Sequence, residues 1–211
     1  MLISKKMYEI IRVLITTKNS NISDVAKKSR ITVGMASRIL KRIEKSGYIK
    51  IDRNGVNLTN ELKLLKFWGY SYSIREFDNI QFLGAERPQY MAKVIINIAM
   101  KENLQYAFTL FSATDIIRPY VLPSETYMYI LEKDVKKWEN VFREKNILPI
   151  KENGNIVCIL TDEDFFENNI QKVSDANIVS IYQLYADLLS WGIRGEEAAE
   201  HIYELIQNTK K

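Results

Sequence analysis

Residues 21–59 read NISDVAKKSRITVGMASRILKRIEKSGYIKIDRNGVNLT. Ser23 or Asp24 stands where a side-chain cap would open a short helix through Val25, Ala26 and Lys28. A break at 29–31 follows, and Thr32 is placed to cap a second helix over 33–46. Within it Ala36, Ile39, Leu40 and Ile43 recur at helical spacing and mark one buried face. The rest of its surface shows Met35, Ser37, Arg38, Lys41, Arg42 and Lys45. Gly47 stands where a glycine ends a helix. Two short apolar-alternating runs, 48–51 and 56–58, are joined by Arg53-Asn54-Gly55, and Asn-Gly between such runs predicts a hairpin.

Helix, turn, capped basic helix and basic hairpin, in that order, resemble a winged helix-turn-helix of the MarR-like kind. The residues that carry the resemblance are TVGMASRIL at 32–40 and LKRIEKSGYI at 40–49. It implies double-stranded DNA as the ligand, with the basic helix in a major groove. Val33, Met35, Ser37 and Arg38 are then nearest the bases, with Thr32 at the helix start. Lys41, Arg42 and Lys45 are expected on phosphates, and Arg53 with Asn54 on the neighbouring minor groove or backbone.

Charge is divided unequally along the chain. Residues 1–75 hold 16 Lys+Arg against 5 Asp+Glu, whereas residues 76–211 hold 14 against 21. Such a split points to nucleic acid for the front half and a different task for the back half, which phosphate would repel. A protein-binding winged helix is the rival for the front half, but it has no need of so basic a face. The single cysteine, Cys158, excludes an intramolecular disulfide and lies in an apolar run that predicts a buried core position. No apolar run reaches membrane-spanning length and the N-terminus lacks a signal-peptide core, so a cytoplasmic protein is expected.

An α+β protein of three parts is predicted: a DNA-binding domain at 1–59, a connecting helix at 60–76 and a mixed α/β domain at 77–211. The first helix, 4–17, buries Met7, Ile10, Ile11 and Leu14 or Ile15, and 18–21 form a polar turn. Thr59 or Asn60 caps a helix over 61–75. Phe67, Trp68, Tyr70 and Tyr72 give that helix more apolar surface than one stripe needs, so a second domain or second subunit is expected to cover it. Aromatics beside Lys63 and Lys66 also fit a nucleic-acid stacking platform, the less favoured alternative. The back half is expected to hold helices over 88–101, 113–118, 134–145, 181–191 and 195–206, with Ser112 capping the second. Strands are expected at 105–111, 125–131 and 156–160, a small sheet.

YAFTLFSAT at 106–114, Pro119-Tyr120, ETYMYI at 125–130, YADLL at 185–189 and RGEEAAE at 194–200 follow the winged-helix pattern. Together they resemble the AbiEi-type antitoxins of type IV toxin–antitoxin systems, in which the back half is related to the nucleotidyltransferase fold. The resemblance implies a transcriptional regulator with a cognate toxin as partner. Active nucleotidyltransferases need a Gly-Ser turn that lets backbone amides reach phosphate, and an Asp-x-Asp pair that holds Mg²⁺. Phe111-Ser112 and Glu125 with Tyr127 stand at those positions, which implies a fold kept without its catalysis or a cofactor. An enzyme that recruits other carboxylates, Glu125 with Asp187, is the alternative.

The remaining polar candidates have plain structural explanations. Asp162-Glu163-Asp164 follows Thr161 and reads as the acidic first turn of a helix rather than a metal site. His201 is the only histidine and sits in a glutamate-rich helical stretch, which marks a surface position. Asp187 and Arg194 form an interhelical pair or cap, or else a contact to a ligand or partner. A homodimer is expected, because winged-helix regulators read two half-sites.

Overall fold

The computed structural model describes residues 4–17, 19–119 and 122–208, and its chain divides into two compact units, Met1–Ser73 and Ile74–Lys211. Lys18 of the expected turn and Tyr120 of the quoted motif lie outside the described residues.

In the first unit α1 (Lys5–Thr17) buries Met7, Ile10, Ile11, Leu14 and Ile15, as the spacing predicts, and Tyr8, Arg12 and Val13 as well, so that burial runs round the helix rather than along one stripe. β1 (Asn19–Ser20) follows where a turn was expected. α2 (Ile22–Lys28) is capped by Asn21, whose side-chain oxygen accepts from the Asp24 amide at 2.7 Å; neither Ser23 nor Asp24 is the cap. Thr32 caps α3 (Val33–Lys45), accepting from the Met35 amide. β2 (Ile49–Asp52) and β3 (Gly55–Leu58) form the expected hairpin, with Asp52 opposite Gly55 and a two-residue turn. β1 adds to β3 on its other side, so the small sheet runs β1-β3-β2, antiparallel throughout.

Asn60 caps α4 (Glu61–Gly69), which stops well short of the predicted 75. Tyr70 closes the helix and the Ser71 hydroxyl donates back to the Phe67 carbonyl, ending the ladder. Most of its aromatic excess is absorbed locally. Trp68 is fully buried and meets Tyr8 edge-on at 5.3 Å, and Tyr72 meets Tyr8 at 6.3 Å. Phe67 stacks on Tyr48 at 5.2 Å, and Tyr70 is half exposed. A covering subunit is therefore not needed to bury Trp68 or Tyr72.

The second unit is built, among its described residues, on seven strands rather than the three expected. A 3-10 turn (Ile74–Glu76) leads into β4 (Asn79–Leu83) and α5 (Pro88–Glu102). β5 (Tyr106–Phe108) is shorter than predicted because α6 (Leu110–Ile117) begins at Leu110, not Ala113. Next come β6 (Thr126–Leu131), the 3-10 turn Glu132–Asp134, α7 (Val135–Arg143), β7 (Leu148–Ile150) and β8 (Ile156–Thr161). Asp162 caps α8 (Glu163–Asn169), accepting from the Phe165 amide, so the acidic triplet is a helix start. β9 (Ile170–Val173), β10 (Ala176–Val179), α9 (Ile181–Trp191) and α10 (Ile193–Asn208) complete it.

The sheet order is β7-β4-β8-β6-β5-β10-β9, parallel between β6 and β8 and between β5 and β10. Its centre is fully buried through Phe82, Phe108, Met128, Ile130, Cys158 and Ile178. β7 is an edge strand, exposed along its length and carrying Pro149, which an edge tolerates because half its amides face solvent. α9 and α10 pack as a helical hairpin with no room to spare. A Cβ on Gly195 would fall 1.9 Å from the Leu188 carbonyl oxygen, so only glycine fits there.

Candidate nucleic-acid interface

α3 turns one side wholly inward. Ala36, Leu40 and Ile43 have no exposure, and Ile39 is half buried beside them. At 3.6 residues per turn, Gly34, Arg38, Lys41 and Lys45 fall on the opposite side, and all four are exposed. Thr32 caps the helix, which leaves Val33 51 % exposed at its first position. Met35 and Ser37 are half buried on opposite flanks. The Arg38 guanidinium donates to the Gly34 carbonyl at 3.3 Å, folded back along the helix.

The β2–β3 hairpin is fastened to one flank of α3. The Glu44 carboxylate accepts from the Ile51 amide at 2.6 Å and so joins the last turn of the helix to the strand. Gly47 (φ +77°) lets the chain reverse between them. At the tip Arg53 and Asn54 are both exposed, and Asp52 accepts from the Asn54 amide at 2.8 Å. The Asn57 side-chain amide also donates to the Asp52 carboxylate, at 3.3 Å, so Asp52 holds the turn across the hairpin. Lys50, exposed on β2, is a further cation of the hairpin outside the set expected from sequence; its period-two place opposite the buried Ile49 and Val56 is the signal that marks it.

Arg42 has a different setting from Lys41 and Lys45. It is exposed on the flank away from Glu44 and lines a groove of about 840 Å³ with Lys63, Lys66, Tyr48, Phe67 and Tyr70. α3 therefore presents two cationic surfaces, a ridge and a side groove.

The polar residues of the second unit are dispersed. The Ser112 hydroxyl does not cap α6; it accepts from the Tyr127 amide at 2.9 Å and donates to the Glu125 carbonyl, tying α6 to the start of β6. The Tyr127 hydroxyl donates to the Glu125 carboxylate at 2.6 Å. Burial, and then that bond and the carboxylate's charge, push the phenol well above its usual range. Around this pair lies a cleft of about 330 Å³, where the Arg75 guanidinium sits 4.1 Å over the Trp191 ring and Tyr127 meets Trp191 edge-on.

Asp187 is fully buried, and both its oxygens accept hydrogen bonds: from Thr109 (2.5 Å), Gln183 (2.7 Å) and Tyr129 (3.3 Å). That bond explains why Thr109, though at the N-cap position of α6, makes no cap. Arg194 is exposed at the start of α10. His201 is half buried in α10, and its carbonyl accepts from Arg118. Among the described residues, no three His, Cys, Asp or Glu side chains are grouped to hold a metal ion, and no helix is long and apolar enough to cross a membrane.

Comparison with curated proteins found no match. The family described as "Transcriptional regulator, AbiEi antitoxin, Type IV TA system" matches residues 57–207. That span runs from β3 into α10 and takes in the Thr109–Asp187 core and the Ser112–Tyr127 junction, but not α3. By the match over its larger unit, then, and independently of the basic helix in front of it, the chain belongs to the AbiEi antitoxin family of type IV toxin–antitoxin transcriptional regulators.

Proposed function

We propose that the chain binds double-stranded DNA sequence-specifically and acts as the autorepressing antitoxin partnered with a cognate toxin. Its N-terminal unit works as a winged helix-turn-helix: α3 enters the major groove and the β2–β3 hairpin is the wing. The observation that carries this reading is the outer face of α3, where Arg38, Lys41 and Lys45 are exposed without a carboxylate among them. Val33 and Arg38 reach base edges, while Lys41 and Lys45 meet phosphates. The protein binds two half-sites as a homodimer.

The second unit is a degenerate nucleotidyltransferase-like domain that transfers no nucleotide. Phe111 stands where backbone amides would approach phosphate, and the Glu125 carboxylate is engaged by the Tyr127 hydroxyl. Asp187, the alternative second carboxylate, has no exposed surface. Two metal ions need carboxylates that face a shared open site.

Fluorescence anisotropy with duplexes from upstream of the protein's own coding sequence, and with unrelated duplexes, tests the DNA reading. Arg38→Ala should cost about 1–3 kcal/mol on the specific duplex alone. Lys41→Ala should weaken all duplexes alike and flatten the salt dependence by roughly one unit. Wild-type affinity in both variants would remove α3 from the groove. Nucleotide transfer from a labelled triphosphate with Mg²⁺, abolished in Glu125→Gln, would overturn the non-catalytic assignment.

A further inference from the structure

Arg42 is four residues beyond Arg38, yet it leaves the outer ridge of α3 and turns into the side groove. On the helical circumference Arg42 and Glu44 point to opposite flanks, and Glu44 holds the hairpin. The groove is therefore on the flank of α3 away from the Glu44–Ile51 bond, bordered by Tyr48 at the foot of the hairpin. Its other cations, Lys63 and Lys66, are three residues apart on α4 and so share a side of that helix. Three cations drawn to one concavity raise the local potential and make it a place for an anion.

The aromatic pair argues for which anion. Tyr48 and Phe67 stack on each other at 5.2 Å with their planes 28° apart. They form an apolar wall along which lysine stems can lie while their ammonium groups reach outward. Duplex DNA keeps its own bases stacked, so along its flank it offers phosphate and sugar, one negative charge per roughly 1.7 Å of axis. A strand that leaves the ridge of α3 on the groove side meets Arg42 first and the α4 lysines next.

We infer that this groove is a second DNA-contacting site, in which Arg42, Lys63 and Lys66 hold the phosphodiester backbone flanking the base pairs met by α3. It rests on the DNA-binding role proposed above and extends the footprint to α4. Such contacts carry no sequence information, so they set affinity and register but not specificity.

The test is anisotropy of the full-length protein on a duplex of arbitrary sequence, from about 50 to 200 mM salt, the range over which phosphate contacts dominate affinity. The Lys63→Gln/Lys66→Gln variant should have a log–log salt slope shallower by about 0.9 for each phosphate no longer neutralised, and equally so on every duplex. Lys63→Arg, which keeps the charge, should retain the wild-type slope. An unchanged slope in the double glutamine variant overturns the second site. An unchanged slope in Lys41→Ala overturns instead the placement of α3, so the two failures are told apart. If the double variant keeps its duplex affinity but binds oligothymidine more weakly, the groove is a single-strand stacking site and the inference falls.

Discussion

Asp187 shows how much of the second unit depends on one carboxylate. It lies at zero exposure among Thr109 of the β5–α6 junction, Tyr129 of β6 and Gln183 of its own helix, and so joins three elements. A buried donor left without its acceptor costs roughly 1–3 kcal/mol. Asp187→Ala strands more than one, so urea denaturation should show a loss of at least that order, with DNA affinity unchanged in the folded fraction. Wild-type stability with loss of toxin neutralisation would make Asp187 a partner contact instead. Cys158 makes a simpler case. Burial holds its thiol far above the usual range, so the reactive thiolate is scarce at neutral pH. Ellman's reagent should find no thiol in the native protein and one per chain after denaturation.

The hairpin depends on Gly55. Its φ of +119° is one that residues with a side chain rarely adopt, and a Cβ there would lie 2.7 Å from the Ser20 carbonyl oxygen. Gly55→Ala should therefore disturb both the β2–β3 turn and the pairing of β1 with β3. A penalty of about 1–3 kcal/mol is expected, read as a lowered melting temperature. A melting curve that matches wild type would mean that β1 moves aside freely. Asn-Gly announces the hairpin, but the turn itself is Arg53-Asn54 and Gly55 opens β3 opposite Asp52. Thr32 and Gly47 are legible in sequence because each carries a strong local rule, the Thr cap and the glycine stop. The cap of α2 is not, since Asn21, Ser23 and Asp24 are all capping residues, and the bond from the Asp24 amide to Asn21 exists only once the backbone has turned. β9 and β10 escape sequence reading for a related reason. Their turn is Ser174-Asp175, with Ser174 itself at φ +52°, and it lacks the glycine or asparagine that announces a hairpin.

The proposed homodimer now stands on half-site reading rather than on surplus apolar surface. Trp68 and Tyr72 are buried against Tyr8 inside the first unit, and neither ring needs a second copy to cover it. One small module seldom supplies the contact that specific affinity requires, so pairing is still expected on DNA. Sedimentation at micromolar concentration should find a species at twice 24.7 kDa when duplex is present. A lone 24.7 kDa protomer per duplex under the same conditions would remove the dimer.

Periodicity, caps and charge are enough to place α1, α2, α3, the hairpin and most helices of the second unit, because these are short-range properties of neighbouring residues. The same applies to the basic ridge: Arg38, Lys41 and Lys45 oppose Ala36, Leu40 and Ile43 by helical geometry alone. Tertiary packing decided the rest. β4 and β7 become strands only because each finds a neighbour, β8 for the first and β4 for the second, and the exposed Leu148-Pro149-Ile150 has no buried pattern of its own. Arg42 reads as one more cation of α3 until α4 folds beside it and makes a groove of three. Thr109, Tyr129, Gln183 and Asp187 are scattered over 79 positions, and no local rule joins a carboxylate to donors that distant. Burial away from water makes each of those hydrogen bonds necessary, and only the folded chain determines which groups are buried together.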